Sequence, residues 1–394
     1  MAARVKIGNP AGAGVRLILA PDKFKGSLTA AEAAAAMAAG ARRVLPAAEL
    51  TQFPVADGGD GTVAMVIRAG GRGRQVRVSD ALGRPLAAEF AVLGGTAVIE
   101  SAQACGLHQV PVNPATALTA GSAGVGELIT AALEAGYRDL VIGLGGSACT
   151  DGGAGLARAL GVRMTDATGR QLPYGGGALA ELAAIDVTGL DPRLAECTVR
   201  IACDVSNPLL GAAGAAEVFA PQKGAGPAEV ARLAAGLARY AEVVRQVCGI
   251  DIGAIPGGGA AGGLAAGLIA FAQGEIVSGI SYLLELLGFA GRLAGCALVI
   301  TGEGCLDAQS LAGKAPAGVA RLARRQQVPV LAIAGRVELD PAALAGAGFT
   351  AGYSLTEQLG AERAQRDAAG ALAEVTERAV RQWCRSAVAE RSAG

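Results

Sequence analysis

Short apolar runs recur along the chain, at Val15–Ala20, Thr51–Val55, Asp139–Ile142, Val199–Ala202, Ala297–Thr301, Val328–Ala334 and Phe349–Ser354, and most end in Gly, Asp or Ser. Runs that are apolar on both faces mark strands buried in a parallel sheet with helices on either side. Alanine-rich segments of helical character lie between several of them, at Thr29–Val44, Gly126–Ala135 and Ala315–Arg325, and another, Ala361–Ala389, closes the chain. Arg74–Ser101 departs from this alternation. There polar and apolar residues take turns around Leu-Gly and Gly-Gly pairs with no helix between, which predicts an antiparallel ribbon. The change of pattern predicts an α/β protein of two domains. A Rossmann-like domain with a parallel three-layer sheet takes residues 15–70 and 288–394, with about 120–160 as an optional addition. A second, mixed α/β domain of residues 71–287 is inserted in it, and residues 1–14 form a loose tail.

At 394 residues the chain exceeds what one hydrophobic core usually organises, which agrees with two units. Lys+Arg and Asp+Glu number 34 each with no basic run, so the electrostatic footprint of a nucleic-acid binder is missing and the expected partner is a small molecule. Eight cysteines without a CxxC pair, and the single histidine His108, argue against a zinc site. They read as small buried hydrophobes in a reducing compartment, which points to the cytoplasm. Gly, Pro and Arg16 interrupt any apolar region of a signal peptide near the N-terminus. The uncharged stretch Ile252–Gly274 contains PGGGAAGG, and it reads as a buried glycine loop leading into a core helix rather than a membrane span. Nothing in the pattern fixes an oligomeric state.

Three loops follow predicted strands. In Ala20–Glu32, Thr29 and Glu32 form a capping box, so Lys25 and Ser27 stand just before a helix N-terminus, where phosphate is favoured; the alternative is a solvated loop. In Pro54–Thr62, Asp57 and Asp60 flank two glycines. They are spaced to share a hydrated Mg²⁺ or, alternatively, to cap their own turn. In VIGLGGSACTDGG, Val141–Gly153, the residues Gly143, Gly145 and Ala148 satisfy a dinucleotide fingerprint, with Asp166 near the place of a ribose-binding acid. Against that reading, Gly152 and Gly153 interrupt the long helix that such a fingerprint should enter. GLGGSA also differs by one residue from the phosphate loop of the GHMP kinases, although that family's other signatures do not surround it. No Walker A pattern exists, since Gly313-Lys314 is followed by Ala315, and the protein-kinase H-R-D and D-F-G pairs are absent.

Two later segments, ACDVSNPLLG (202–211) running on to VFAPQKGA (218–225), and ITGEGCLDAQSLAGKAP (300–316), narrow the choice. With APDKFKGSL, PVADGGDGT, GLGGSACTDGGAG and PGGGAAGGL they resemble, in order from about Val15 to beyond Gly335, the type I glycerate kinase family. Cys305, where a basic residue is expected, and Lys23, where serine is common, depart from the pattern. The resemblance implies an ATP- and Mg²⁺-dependent kinase that phosphorylates D-glycerate to 2-phosphoglycerate in a cleft between two α/β domains.

Phosphoryl transfer asks mainly for positioning and charge neutralisation. On that basis Gly145, Gly146, Ser147 and Ser27 are the expected phosphate and nucleotide contacts. Lys25 neutralises a phosphate or the glycerate carboxylate, and Asp57 and Asp60 hold the metal with Glu303 in reserve. Asp204 is the expected base for the attacking hydroxyl. Asn207, Asp307, Gln309 and Lys314 are expected to hold the substrate. The rival readings are an NAD(P)-dependent oxidoreductase of a small hydroxy acid, a kinase forming 3-phosphoglycerate, and a non-catalytic binder of a sugar acid or nucleotide.

Overall fold

The computed structural model describes residues 14–311 and 313–392, so the expected tail lies, Gly14 apart, outside the described residues. The chain divides into two compact units, one of the residues up to Ala56 together with those from Ile280 on, the other of Asp57–Gly279.

The first unit is built on a sheet in which Ala351–Ser354, Val330–Ala334, Leu298–Gly302, Arg16–Pro21 and Glu49–Gln52 lie side by side in that order, all parallel. Counted along the chain this is the 2-1-3-4-5 order of a doubly wound sheet. Every second residue of the two-faced runs, among them Leu17, Leu19, Leu298, Ile300, Leu331 and Ile333, joins one core with Met37, Leu372 and Val375. Met37 comes from the helix Ala30–Val44, and the other two from the closing helix Ala368–Ser392. The helix Ala315–Arg325 packs on the strands Arg16–Pro21, Leu298–Gly302 and Val330–Ala334. The expected capping box is present: the Glu32 amide donates to the Thr29 hydroxyl at 3.2 Å, and the Thr29 amide donates to the Glu32 carboxylate at 2.8 Å.

The second unit carries a six-stranded mixed sheet in the order Glu275–Val277, Thr198–Ala202, Asp139–Gly143, Thr96–Glu100, Pro85–Leu93 and Arg72–Ser79. The first four strands are parallel, and the last two form the antiparallel ribbon expected from the alternation, with Val76 opposite Ala88. The Gly94-Gly95 pair, at φ 58° and 92°, closes the adjoining antiparallel hairpin between Pro85–Leu93 and Thr96–Glu100, a left-handed pair that suits glycine. Ile252–Gly274 contains the helix Ala260–Ala272, buried along most of its length, and among the described residues no helix is long and apolar enough to cross a membrane.

The structure moves several expected boundaries. Residues 57–70 and 120–160 lie in the second unit, and 280–287 in the first. The cause for 120–160 is strand pairing, since Asp139–Gly143 joins Thr96–Glu100 on one side and Thr198–Ala202 on the other. For 57–70 it is the helix Thr62–Arg68, where the amides of Gly61 and Val63 donate to the buried Glu100 carboxylate. The second strand begins at Glu49, and the expected run Thr51–Val55 continues it: the Phe53 amide donates to Leu19 O and the Val55 amide to Pro21 O. The closing segment breaks into Ala361–Arg366 and Ala368–Ser392 at Asp367, whose carboxylate caps the Gly370 amide at 3.1 Å.

Candidate active site

In the second unit the glycine loop leaves the strand Asp139–Gly143 at its carboxyl end and lies backbone to backbone on the loop Asp57–Gly61. A side chain at Gly143 would put its Cβ 2.3 Å from Gly58 O, and one at Gly145 would meet Gly59 Cα at 2.6 Å. At Gly146, which has φ +62°, a Cβ would fall 2.1 Å from the Asp60 carboxylate. Glycine is therefore required on geometric grounds, and the contact brings Gly145 and Gly146 beside Asp57 and Asp60. The Leu107 amide donates to Gly146 O and the Ala148 amide to Cys105 O, both at 2.7 Å, which fixes the loop from behind.

Ser147 is buried rather than displayed, and its hydroxyl lies 3.4 Å from Nζ of Lys223, which also donates to Cys149 O. Lys223 is itself buried. Burial pulls its ammonium below the ordinary lysine value, against the opposing pull of Cys149, Cys105 and Asp151. Sequence reasoning gave Lys223 no role, although VFAPQKGA displays it as a lone lysine behind an apolar stretch.

Asp151, Gly152 and Gly153, which end the loop, are each engaged in packing or hydrogen bonding. Asp151, fully buried, accepts from the amides of Ser122, Gly153 and Gly155 and from the Ser122 hydroxyl, at 2.9 to 3.1 Å. Gly152 and Gly153 lie against the helix Ala260–Ala272, where a Cβ on Gly267 would come within 2.8 Å of Gly153 Cα. The helix that follows the loop, Ala154–Ala159, has six residues.

Asp166 sits in a turn of its own, accepting from Thr168 Oγ1 at 2.7 Å and from the amides of Thr168 and Arg170. The Thr168 hydroxyl leads in pushing its pKa down to about 2. Neither the short helix nor this committed acid suits a dinucleotide.

Asp204 follows the strand Thr198–Ala202, half-buried, and its Oδ1 accepts from the Ser278 hydroxyl at 3.0 Å and the Gly279 amide at 3.1 Å. A Cβ on Gly279 would lie 2.2 Å from Asp57 O, so Asp204 and the backbone of Asp57 border the same small space. Asp57 is half-buried and accepts from the Gly59 amide at 3.3 Å, which realises part of the turn-capping alternative. Asn207 turns to its own loop, its amide donating to Ala213 O at 2.8 Å.

The first unit carries a second group of polar residues. Asp22 and Glu303 follow the adjacent parallel strands Arg16–Pro21 and Leu298–Gly302, and the Asp22 amide donates to Gly302 O at 2.8 Å. Glu303 is 7 % exposed, and its Oε1 has no hydrogen-bond partner among the described residues. Burial pushes its pKa up to about 7, against the opposing pull of Ser310 and Lys314 and with Asp22 and Asp307 adding to the rise.

Asp307 and Ser310 cap one another: the Ser310 amide donates to Asp307 Oδ1 at 2.8 Å, and the Asp307 amide donates to Ser310 Oγ at 3.1 Å. Burial raises the Asp307 pKa, but the bonds from Ser310 and the Lys314 ammonium, 3.7 Å away, outweigh it and leave the carboxyl below its usual range. Gln309 is exposed. Lys25 and Ser27 form the exposed tip of a turn closed by backbone bonds between Phe24 and Leu28, with the Ser27 hydroxyl donating to Phe24 O at 3.0 Å. Because Thr29 and Glu32 already cap the following helix, Ser27 serves the turn.

Glu303 thus belongs to a different unit from Asp57 and Asp60, and among the described residues no three His, Cys, Asp or Glu cluster as a metal site. All eight cysteines are unpaired by disulfides.

A family model described as the glycerate kinase family matches residues 17–384. Glycerate 2-kinase of Escherichia coli K12 is 44 % identical over 349 residues, 88 % of this chain and 92 % of that protein. Glycerate kinase of Bacillus subtilis 168 is 45 % identical over 344 residues, 86 % of this chain and 90 % of that one. A crystal structure described as glycerate kinase 2 from Salmonella typhimurium LT2 superposes with a TM-score of 0.79 at 41 % identity, covering 94 % of this chain and 99 % of that one. With a match from residue 17 to residue 384 and relatives this similar over nearly their whole length, the chain belongs to the glycerate kinase family.

Proposed function

We propose that this protein transfers the γ-phosphoryl group of ATP, with Mg²⁺, to the 2-hydroxyl of D-glycerate, giving 2-phosphoglycerate. The observation that carries the reading is its 44 % identity to a protein named glycerate 2-kinase across 92 % of that protein's length. The geometry supports it. Two glycine loops stacked at the carboxyl ends of parallel strands expose backbone of the kind that cradles phosphate oxygens. Gly145 and Gly146 are the proposed phosphate contacts, and Ser147 with Lys223 holds their loop in shape.

The donor set of Asp57 and Asp60 fits a hydrated Mg²⁺, which favours one or two carboxylates with water and phosphate oxygens for the rest. The Asp60 carboxylate lies against Gly146, one of the proposed phosphate contacts. Bound there, Mg²⁺ would neutralise phosphate charge. Asp204 is the proposed proton acceptor, held in orientation by Ser278 and Gly279. Lys25 supplies positive charge from an exposed turn. Asp307, Gln309, Lys314 and Asn207 are the proposed substrate contacts. The unpaired cysteines suit a reducing, cytoplasmic setting.

Incubation of the purified protein with MgATP and D-glycerate, followed by enolase without a mutase, tests the reading. Phosphoenolpyruvate formed directly supports the 2-phosphate. Accumulation of 3-phosphoglycerate would change the product, and absence of ADP would overturn the kinase.

A further inference from the structure

In the five-stranded sheet, Arg16–Pro21 and Leu298–Gly302 are neighbours from which the sheet grows in opposite directions, to Glu49–Gln52 beside the first and to Val330–Ala334 beside the second. This is the switch point of a doubly wound sheet, and the crevice outside the strand ends there is where such sheets take ligands. Asp22 and Glu303 are the first residues beyond those two strands. The Ser310 hydroxyl is already bonded to Asp307 Oδ1 at 3.0 Å and Cys305 O at 3.2 Å, whereas Oε1 of the buried Glu303 receives no hydrogen bond among the described residues. A buried acceptor without a donor weakens a fold, and a bound ligand can supply that donor. Three carboxylates, Asp22, Glu303 and Asp307, outnumber the ammonium groups of Lys23 and Lys314 paired with them, which makes this spot less favourable to a substrate carboxylate than to a hydroxyl.

We infer that Glu303 reads the 3-hydroxyl of D-glycerate, the hydroxyl that is not phosphorylated, by accepting its hydrogen bond at the unpartnered Oε1. This rests on the glycerate kinase reading and deepens it. Glu303, assigned by sequence to a reserve metal role, becomes a residue that determines specificity, since a site built to bond a hydroxyl discriminates strongly against the analogue that lacks it.

Calorimetric titration with D-glycerate and with D-lactate, which lacks only the 3-hydroxyl, tests it in the wild type, Glu303→Met and Glu303→Gln. Glu303→Met is expected to weaken D-glycerate at least about tenfold, towards the affinity of D-lactate for the wild type, and to leave D-lactate within about twofold. Glu303→Gln keeps an acceptor and is expected to lose less. It also carries the test if the Met variant fails to fold. Unchanged glycerate affinity in both variants, or equal losses for the two ligands, would overturn the assignment. Failure of the wild type to bind D-glycerate would instead remove the functional reading, and this inference with it.

Discussion

Glu303 also sets a measurable dependence of stability on pH. Its carboxyl is pushed from the ordinary 4.5 to about 7 in the folded chain, chiefly by burial. The unfolded chain loses this proton from pH 4.5 upward, whereas the folded chain keeps it until about 7, so between these values the folded state binds more protons. Stability therefore falls as pH rises through that window and levels off above it. The difference of about 2.5 units, at about 1.4 kcal/mol each, amounts to roughly 3 kcal/mol. Glu303→Gln removes the charge and keeps the shape. The variant is expected to match the wild type near pH 4.5 and to exceed it by about 3 kcal/mol at pH 8.

Trp383 supplies the assay, because it is the chain's single tryptophan and is buried in the core of the same unit as Glu303. Urea unfolding followed by its emission, at intervals between pH 4.5 and 8, isolates that unit's transition even where the other unfolds separately. A difference that stays constant with pH, or a variant less stable than the wild type at pH 8, would refute the account of Glu303 as a carboxylate held charged at a cost in stability.

Asp204→Asn should lower kcat about 10²- to 10⁴-fold with little change in the KM for D-glycerate; steady-state rates near the wild-type value would remove Asp204 from proton transfer. Gly143→Ala places a methyl group 2.3 Å from Gly58 O and should cost about 10²-fold in kcat/KM by prising the two glycine loops apart. Gly346→Ala, which meets nothing within 4 Å, is the control and should leave the rate unchanged. Lys223→Met removes the ammonium that joins Ser147 to Cys149 and should raise the KM for ATP at least about tenfold with the circular dichroism spectrum intact. An unaltered KM would mean that the loop keeps its shape without Lys223.

The three central strands of the first sheet, Arg16–Pro21, Leu298–Gly302 and Val330–Ala334, were legible because each is a short run apolar on both faces, the pattern that burial in a parallel layer gives. The ribbon Arg72–Glu100 was equally plain, because its strands alternate and its turn residues are Leu-Gly and Gly-Gly. What the pattern could not supply was the partner of each strand. Asp139–Gly143 is apolar on both faces and would serve either sheet. Its pairing with Thr96–Glu100 and Thr198–Ala202 is a choice made by register over long separations, and it carries residues 120–160 into the inserted unit.

The same limit separates the site residues that sequence found from those it missed. Asp57, Asp60, Gly145 and Gly146 stand in loops whose glycines announce a close approach, and the approach is there, loop against loop. Local chemistry claimed others: Asp307 spends its carboxylate on the Ser310 cap, and Asp166 spends its own on a turn, both within four residues along the chain. Glu303 and Lys223 have no such local signature. Glu303 differs from any strand-end glutamate only because the fold buries it and, among the described residues, leaves one oxygen without a partner. Lys223 differs from any surface lysine only because Ser147 and Cys149, more than seventy residues earlier in the chain, close over its ammonium. Burial of a charged group is a property of the assembled fold, so a linear reading found Glu303 only as a reserve metal ligand and passed over Lys223. These two residues are also where the perturbation has most to say about function.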